Sequence, residues 1–327
     1  MRVSCASRRS QTGVSIVELM VALTLGLVAV AGAVSIYLAN RQSFATVEGV
    51  ARVEEGARFA VDLLARDIRE AGNSVCGGAM TSTNVVTSPN PSWATWDRGL
   101  LGNALSNTDV VGTSIASPTD VTRKDPTSDS VLVWSASNGS NPVRITAQTV
   151  GASGTFTTAT KHGYLQGAVV VACDGKQLLT FEVQSPGDTT LGYNGGAAVK
   201  SFLSGGLINP LAVHLWYVGG STDTAGAQAL RRITIDKNGG TVANDEMITG
   251  VRQMQIQYLV ADPLTGKPDP AASYQSAAAA PAWDSVVAVQ IKLTLSSLEK
   301  INPAGGTPSV YVHTLPLTVA IRRRLQP

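Results

Sequence analysis

One carboxylate stands where an ion is expensive. Glu18 opens an apolar stretch, and Leu19 to Ala39 carries no charged side chain. As a helix those residues would span about 31 Å at ~1.5 Å per residue, the thickness of a bilayer core of roughly 30 Å. A lone acid inside such a segment costs ~2.5–3.5 kcal/mol on insertion scales, so it marks a function, typically pairing with a cation. Just upstream lie Gly13 and a basic stub with Arg2, Arg8 and Arg9. Other chemistry is sparse. His162, His214 and His313 are far apart and lack metal spacing, so they read as ordinary strand and loop histidines. The chain has no Gly-x-Ser-x-Gly elbow and no P-loop lysine motif. Asp262 and Asp269 lack the spacing of an EF-hand and read as a turn. The expectation is therefore a protein that is not an enzyme, with no metal and no cofactor.

Gly13-Val14-Ser15-Ile16-Val17-Glu18, preceded by the basic stub and followed by the apolar run, resembles the class III signal of type IV prepilins. In that family a membrane peptidase cuts after the glycine and the new N-terminus is methylated. The resemblance assigns Gly13 and Val14 to processing and methylation. It assigns Glu18, fifth from Val14, to assembly. Valine stands at position 14 where phenylalanine is usual. Two other readings exist. An ordinary secretory signal also has a basic start and an apolar centre, and Ala31-Gly32-Ala33 offers it a small-residue cut site. An uncleaved anchor is the third. Both leave Glu18 without a purpose.

The formal charge of the 327-residue chain is +2. Removing the three leader arginines from 25 basic residues leaves 22 against 23 acidic, a net of −1. That balance calls for neither nucleic acid nor an anionic surface. The one basic run, Arg322 to Arg324, reads as a solvated strand end. Of three cysteines, Cys5 lies in the leader, so an exported mature chain would keep Cys76 and Cys173. A single leftover pair in an exported protein suggests one disulfide, against two unrelated buried thiols.

These residues need elements to carry them. Past the apolar run, Val50, Val53, Ala57, Val61, Leu64, Ile68 and Ala71 recur at three- and four-residue steps, on one helix face. Gly72-Asn73 is the stop. One helix over 14–71 would thus be apolar all round and then amphipathic. Asn73 to Asp129 reads as a long loop holding Trp93, Trp96 and a short strand at Asp109-Val110-Val111. Strands are expected at 130–135, 143–150, 167–172, 178–183, 213–218 and 230–235, with Asp174-Gly175 a turn. Three later runs alternate with period two: Met254 to Val260, Val287 to Leu295 and Leu315 to Ile321. They make an antiparallel sheet whose apolar face needs a cover, and the amphipathic helix half is the obvious one. Asp262–Trp283 and Ser296–Ser309 read as loops. The fold class is α+β: a long helix on an antiparallel sheet with long loop insertions.

Arg58 to Gly72 with Cys76-Gly77, Val169 to Asp174, Trp283 to Val289 and Val319 to Arg322 resemble PilW-type minor pilins. The resemblance implies a pilin fold and a low-abundance subunit that takes part in priming, assembly or tip formation of a type IV pilus. It divides the chain into a leader (1–13), a transmembrane assembly helix (14–39), an amphipathic half (40–72) and a β-rich body (73–327). Its implied partners are the prepilin peptidase, other major and minor pilins through the N-terminal helix, the inner-membrane assembly platform and membrane lipid, with no nucleic acid. Its implied location is the inner membrane with the body in the periplasm, then the fibre or its tip. A minor pseudopilin of type II secretion, or a tip adhesin or DNA-binding module, remains open at this point.

Cleavage between Gly13 and Val14 is the first expected outcome. Mass spectrometry of the mature N-terminus should find Val14; a terminus at Val34 would instead identify a secretory signal.

Overall fold

The computed structural model describes residues 13–77, 80–86, 99–103, 128–136, 142–195, 199–202, 204–235, 242–262, 267, 274–279, 282–301, 307 and 309–322. Trp93, Trp96, Asp269, the 109–111 strand, Arg323 and Arg324 lie outside the described residues, as does the leader before Gly13.

A single helix, α1, runs from Ile16 to Arg69. Ser15 caps its start, its Oγ accepting from the Val17 N–H at 3.4 Å. It ends where Gly72 takes a left-handed φ of 68°, a conformation that glycine adopts without a Cβ penalty. From Gly13 to Ala45 every residue is exposed. The buried face is confined to the second half: Val53, Ala57, Ala60, Leu64, Ala65, Asp67 and Ile68. The change from apolar-all-round to amphipathic is thus also a change from unpartnered to packed.

That face covers a four-stranded antiparallel sheet, ordered β14-β13-β15-β16 from β13 (Val251–Val260), β14 (Gln275–Ser276), β15 (Val286–Ile301) and β16 (Ser309–Ala320). The register aligns Ile256 with Ile291 and Ile291 with Leu317, so alternate residues point at the helix. Met254, Tyr258, Val289, Leu293 and Val319 join them in the core. Gly56 faces Ile248 and Leu295 there. β15 reaches Ile301, so the loop expected from Ser296 is shorter than the sequence suggested.

The middle of the chain is not a set of loop insertions on one sheet. It forms a second sheet and a barrel. The second sheet, ordered β12-β11-β10-β3-β2, contains β2 (Leu100–Asn103), β3 (Ser130–Ser135), β10 (Ala212–Gly220), β11 (Gln228–Ile235) and β12 (Val242–Thr249). One face gives Val131, Val133, Trp216, Val218 and Leu230 to the core shared with α1 and the first sheet. Its other face carries Leu132, Trp134, Val213, Leu215, Tyr217 and Ile233 against Val169, Val171 and Leu178. Those last three residues belong to the barrel wall.

The barrel comprises β4 (Val143–Thr149), β5 (Ser153–Thr158), β6 (Val169–Cys173), β7 (Gln177–Pro186), β8 (Thr190–Asn194) and β9 (Leu207–Pro210). They pair in the order β7-β6-β9-β4-β5-β8, and β8 returns to β7, which closes the ring. Closure removes open sheet edges. β1 (Thr81–Asn84) adds to β7 in parallel. The interior is filled by Ile145, Phe156, Phe181, Leu191, Tyr193 and Ile208 among others. The Phe156 ring lies 5.0 Å from that of Tyr193 and 5.3 Å from that of Phe181.

The single-sheet expectation fails here for a physical reason. β3 and β6 are buried on both faces, so they show continuous apolar runs with no alternation. Two further strands are masked by glycine. A Cβ on Gly154 in β5 would collide with the Tyr193 ring, and one on Gly192 in β8 with the Ser185 hydroxyl. Close backbone approach inside the barrel demands residues that argue against a strand.

The first sheet allows a direct test. Ile291 is fully buried and Lys292 exposed. Ile291→Asp should destabilise the body by about 3 kcal/mol or more, from lost packing and a buried charge, and Lys292→Asp by under about 0.5 kcal/mol. Equal shifts in the thermal midpoint would show the strand register to be wrong.

Candidate functional site

The residues expected to act sit at one end of α1, and the residues that fix its position sit at the other. At the start, Gly13 precedes the helix with no heavy atom near the place a Cβ would occupy. Glu18 lies in the first helical turn, where the positive end of the helix dipole favours an anion. Val14 is four residues from Glu18 and lies outside the helix, which starts at Ile16 rather than at Val14 as the sequence suggested. Glu18 is exposed and no described residue pairs with it. Two hydroxyls of the apolar half, those of Thr24 and Ser35, close on their own backbone. Thr24 Oγ1 donates to the Val21 carbonyl at 2.9 Å and Ser35 Oγ to that of Ala31 at 2.5 Å. Such back-bonding lets a hydroxyl sit in hydrocarbon at little cost. Glu18, the one charged side chain from Gly13 to Ala39, has no partner among the described residues.

At the far end the helix is tied to the body three ways. Asp67 lies on the buried face, and its Oδ2 takes a hydrogen bond from Trp216 Nε1 and another from His214 Nδ1, both at 2.8 Å. Both donors lie on β10 and point to the same side of the second sheet, two residues apart. The carboxylate therefore fixes the rotation of α1 against that sheet. His214 lies on a strand, as the sequence suggested, and its imidazole has a specific partner in Asp67. The signal was present: Asp67 falls between Leu64 and Ile68 on the apolar face, where a carboxylate needs a buried partner.

Next, the chain leaving the helix runs beside β3. The Gly72 N–H donates to the Trp134 carbonyl at 2.8 Å, and the Ala136 N–H to that of Asn73 at 2.9 Å. The third tie is covalent. Cys76 and Cys173 form a disulfide with a Cα–Cα distance of 6.0 Å, across 97 residues of sequence. Cys173 ends β6, so the bond joins the turn after α1 to the barrel wall. In the chain-entropy account a loop of this length is worth roughly 4–5 kcal/mol. Arg322 adds little: it reaches Glu70 at 3.4 Å but is itself largely exposed.

A perturbed carboxylate is a common mark of catalysis, and among the described residues Glu246 is such a group. Burial alone would raise the Glu246 carboxyl, but hydrogen bonds from the Ser221 hydroxyl, the Thr222 N–H, and the hydroxyls of Thr249 and Thr222 outweigh it and hold the pKa at about 2. Arg231 closes the other side at 3.4 Å. With every lone pair engaged, Glu246 is a fixed clamp on the β10–β11 turn rather than a proton donor. Among the described residues no cluster of ligating side chains could hold a metal.

The Asp67 tie makes a measurable claim. Asp67→Ala strips a buried indole N–H and an imidazole of their acceptor, at ~1–3 kcal/mol for each unsatisfied group. Thermal unfolding should show a loss of about 2–4 kcal/mol, while Glu70→Ala should stay within about 0.5 kcal/mol. Similar losses for both would show that Asp67 does not anchor the helix.

Comparison with known families follows this division of the chain. The family described as Type IV Pilus-assembly protein W matches residues 216–324, which run from β10 through β16. The family described as the prokaryotic N-terminal methylation motif matches residues 8–34, which hold Gly13, Glu18 and most of the apolar run. The barrel lies outside both matches. No curated protein and no solved structure matches the chain. Its two ends therefore carry the two signatures of a PilW-type prepilin-like protein.

Proposed function

We propose that the chain is a minor pilin subunit that takes part in priming, assembly or tip formation of a type IV pilus. The observation that carries this reading is the division of α1. One half is apolar, wholly exposed and headed by the methylation motif, while the other is locked into a body that ends in the PilW match. A helix left bare over that length needs a second environment, and a bilayer followed by a bundle of like helices supplies it.

On this reading the prepilin peptidase cuts after Gly13, and the apolar half holds the subunit in the inner membrane with its body in the periplasm. The body is a pilin fold: the helix on the four-stranded sheet is its frame, and the second sheet and barrel elaborate it. Cleavage leaves a positive amine at Val14. In an apolar bundle that amine and the Glu18 carboxylate are each costly alone. Pairing Glu18 of one subunit with the N-terminus of its neighbour offsets both costs and fixes the axial stagger, since one register brings the charges together. Pairing within the chain is the competing arrangement, because Val14 is four residues from Glu18.

Deletion of the gene, scoring surface pili, twitching and protein secretion together, separates a pilus role from a secretion role. Loss of pili with normal secretion is expected; lost secretion with normal pili would assign the chain to a pseudopilus. Glu18→Ala should leave membrane insertion and the folded body intact yet lower incorporation into sheared fibres, with Glu18→Asp intermediate. Normal incorporation of Glu18→Ala would refute the neighbour pairing.

A further inference from the structure

The exposed side of the packed half of α1 carries a pattern that the core does not need. Glu54, Arg58, Asp62 and Arg66 follow one another at four-residue steps and alternate in sign. All four are exposed. Residues four apart stand one above another on a helix, so the four form one ridge. It lies away from the face that Val53, Ala57, Ala60 and Leu64 bury. A solvated ridge of this kind can close on itself through pairs four residues apart, as Arg52 does with Glu48 at 2.6 Å nearer the apolar half. Among the described residues, none of the four ridge side chains has a hydrogen bond or ion pair.

The same helix fixes how a neighbour can meet this ridge. Pairing Glu18 of one copy with the Val14 amine of the next sets two parallel helices four residues out of step, about 6 Å along the axis. α1 is continuous from Ile16 to Arg69, so the offset carries through to the ridge. At that offset Arg58 of one copy stands level with Glu54 of the next, Asp62 with Arg58, and Arg66 with Asp62. Each facing pair has opposite sign. Other offsets do worse. With no offset each charge meets its own kind. One further turn sets Asp62 against Glu54 and Arg66 against Arg58. An offset of three residues sets Arg69 against Arg66, and one of seven sets Glu55 against Glu48 and Asp62 against Glu55. Like charges side by side are destabilising. The ridge, which owes nothing to Glu18, therefore selects the offset that Glu18 also selects.

We infer that the ridge Glu54–Arg58–Asp62–Arg66 is a helix–helix docking surface, and that its occupant is the same ridge on a second copy of the chain set four residues out of step. The ridge begins about 22 Å past Ala39, outside the hydrocarbon, where water is near and salt screens its contacts. Its charges therefore choose the register more than they supply affinity, while the apolar halves supply the contact area. The inference rests on the Glu18 pairing proposed above, so the experiment reads the two apart.

Two differently tagged copies of the full chain, both with Cys5→Ser, are produced in one strain. One carries Glu55→Cys and the other Ala51→Cys. Both positions are exposed and neither belongs to the ridge. Oxidation of membranes with copper phenanthroline reports the offset, and sheared fibres report incorporation. The 55–51 disulfide should form several-fold more than a 55–55 disulfide. Asp62→Arg in both copies should lower the 55–51 link several-fold without moving the thermal midpoint. Reversing all four signs (Glu54→Arg, Arg58→Glu, Asp62→Arg and Arg66→Glu) should restore the link when both copies carry the reversal. It should abolish the link when only one copy does, although each helix then keeps its own internal alternation. Equal 55–51 and 55–55 links, or a link unchanged in the mixed pair, would overturn the ridge assignment while incorporation into fibres left the pilus reading intact. A 55–51 link in membranes with the chain absent from fibres would overturn the pilus reading and uphold the ridge. A link from position 55 to a different pilin, with none between copies, would give the ridge to that subunit and overturn the copy-to-copy assignment.

Discussion

The rest of the structure depends on one constraint: a single continuous helix has to satisfy two environments. Between its two ends the backbone groups of α1 are bonded within the helix, so the element can pass from hydrocarbon to a protein core without a break. What changes along it is the side-chain surface. Through Ala45 the surface is bare, and from Val53 it is buried. The first sheet in turn has an apolar face that this helix covers together with the second sheet. Remove the packed half and Met254, Ile256, Ile291 and Leu293 face water. Remove the bare half and the body has no anchor.

The ties at the helix end follow from that constraint. A long lever needs a rigid joint. Asp67 fixes its rotation through His214 and Trp216. The disulfide from Cys76 reaches past the second sheet to the barrel wall. The second sheet is the keystone between these parts, because both of its faces are apolar. One face completes the core under α1 and the other seats the barrel, so the barrel is carried at the end of the helix remote from its apolar half. That placement sets the barrel, which lies outside both family matches, away from the apolar half of the helix.

Much of this was legible in the residues. The charge-free run after Glu18, the three- and four-residue steps from Val53 to Ile68 and the alternation of Val287 to Leu295 each encode one surface facing one medium. Each could be read without knowing the partner. The Asp174-Gly175 turn was equally plain, since Gly175 takes a φ of 86° between β6 and β7. The barrel was not legible, because closure is a property of pairings rather than of any strand. β7 pairs with β8 in the same ring that joins β5 to β4, and no local pattern records that. Strands such as Thr190–Asn194 contribute only two or three inward residues, and their glycines imitate turns. The Asp67–His214 contact was hidden by 147 residues of separation, although a carboxylate on an apolar face was a visible anomaly.

Hydrogen exchange along α1, followed peptide by peptide, tests the divided helix most directly. The full chain would be measured in phospholipid bilayers and again after extraction into dilute detergent. The two-environment account predicts slow exchange over both Leu19–Ala39 and Val53–Ile68 in bilayers. On extraction the first segment should exchange faster while the second keeps its protection, because its shield is the body's own core. If both segments changed together, or if Val53–Ile68 lost protection when the lipid was removed, the core packing of α1 would depend on the membrane and the account would be contradicted.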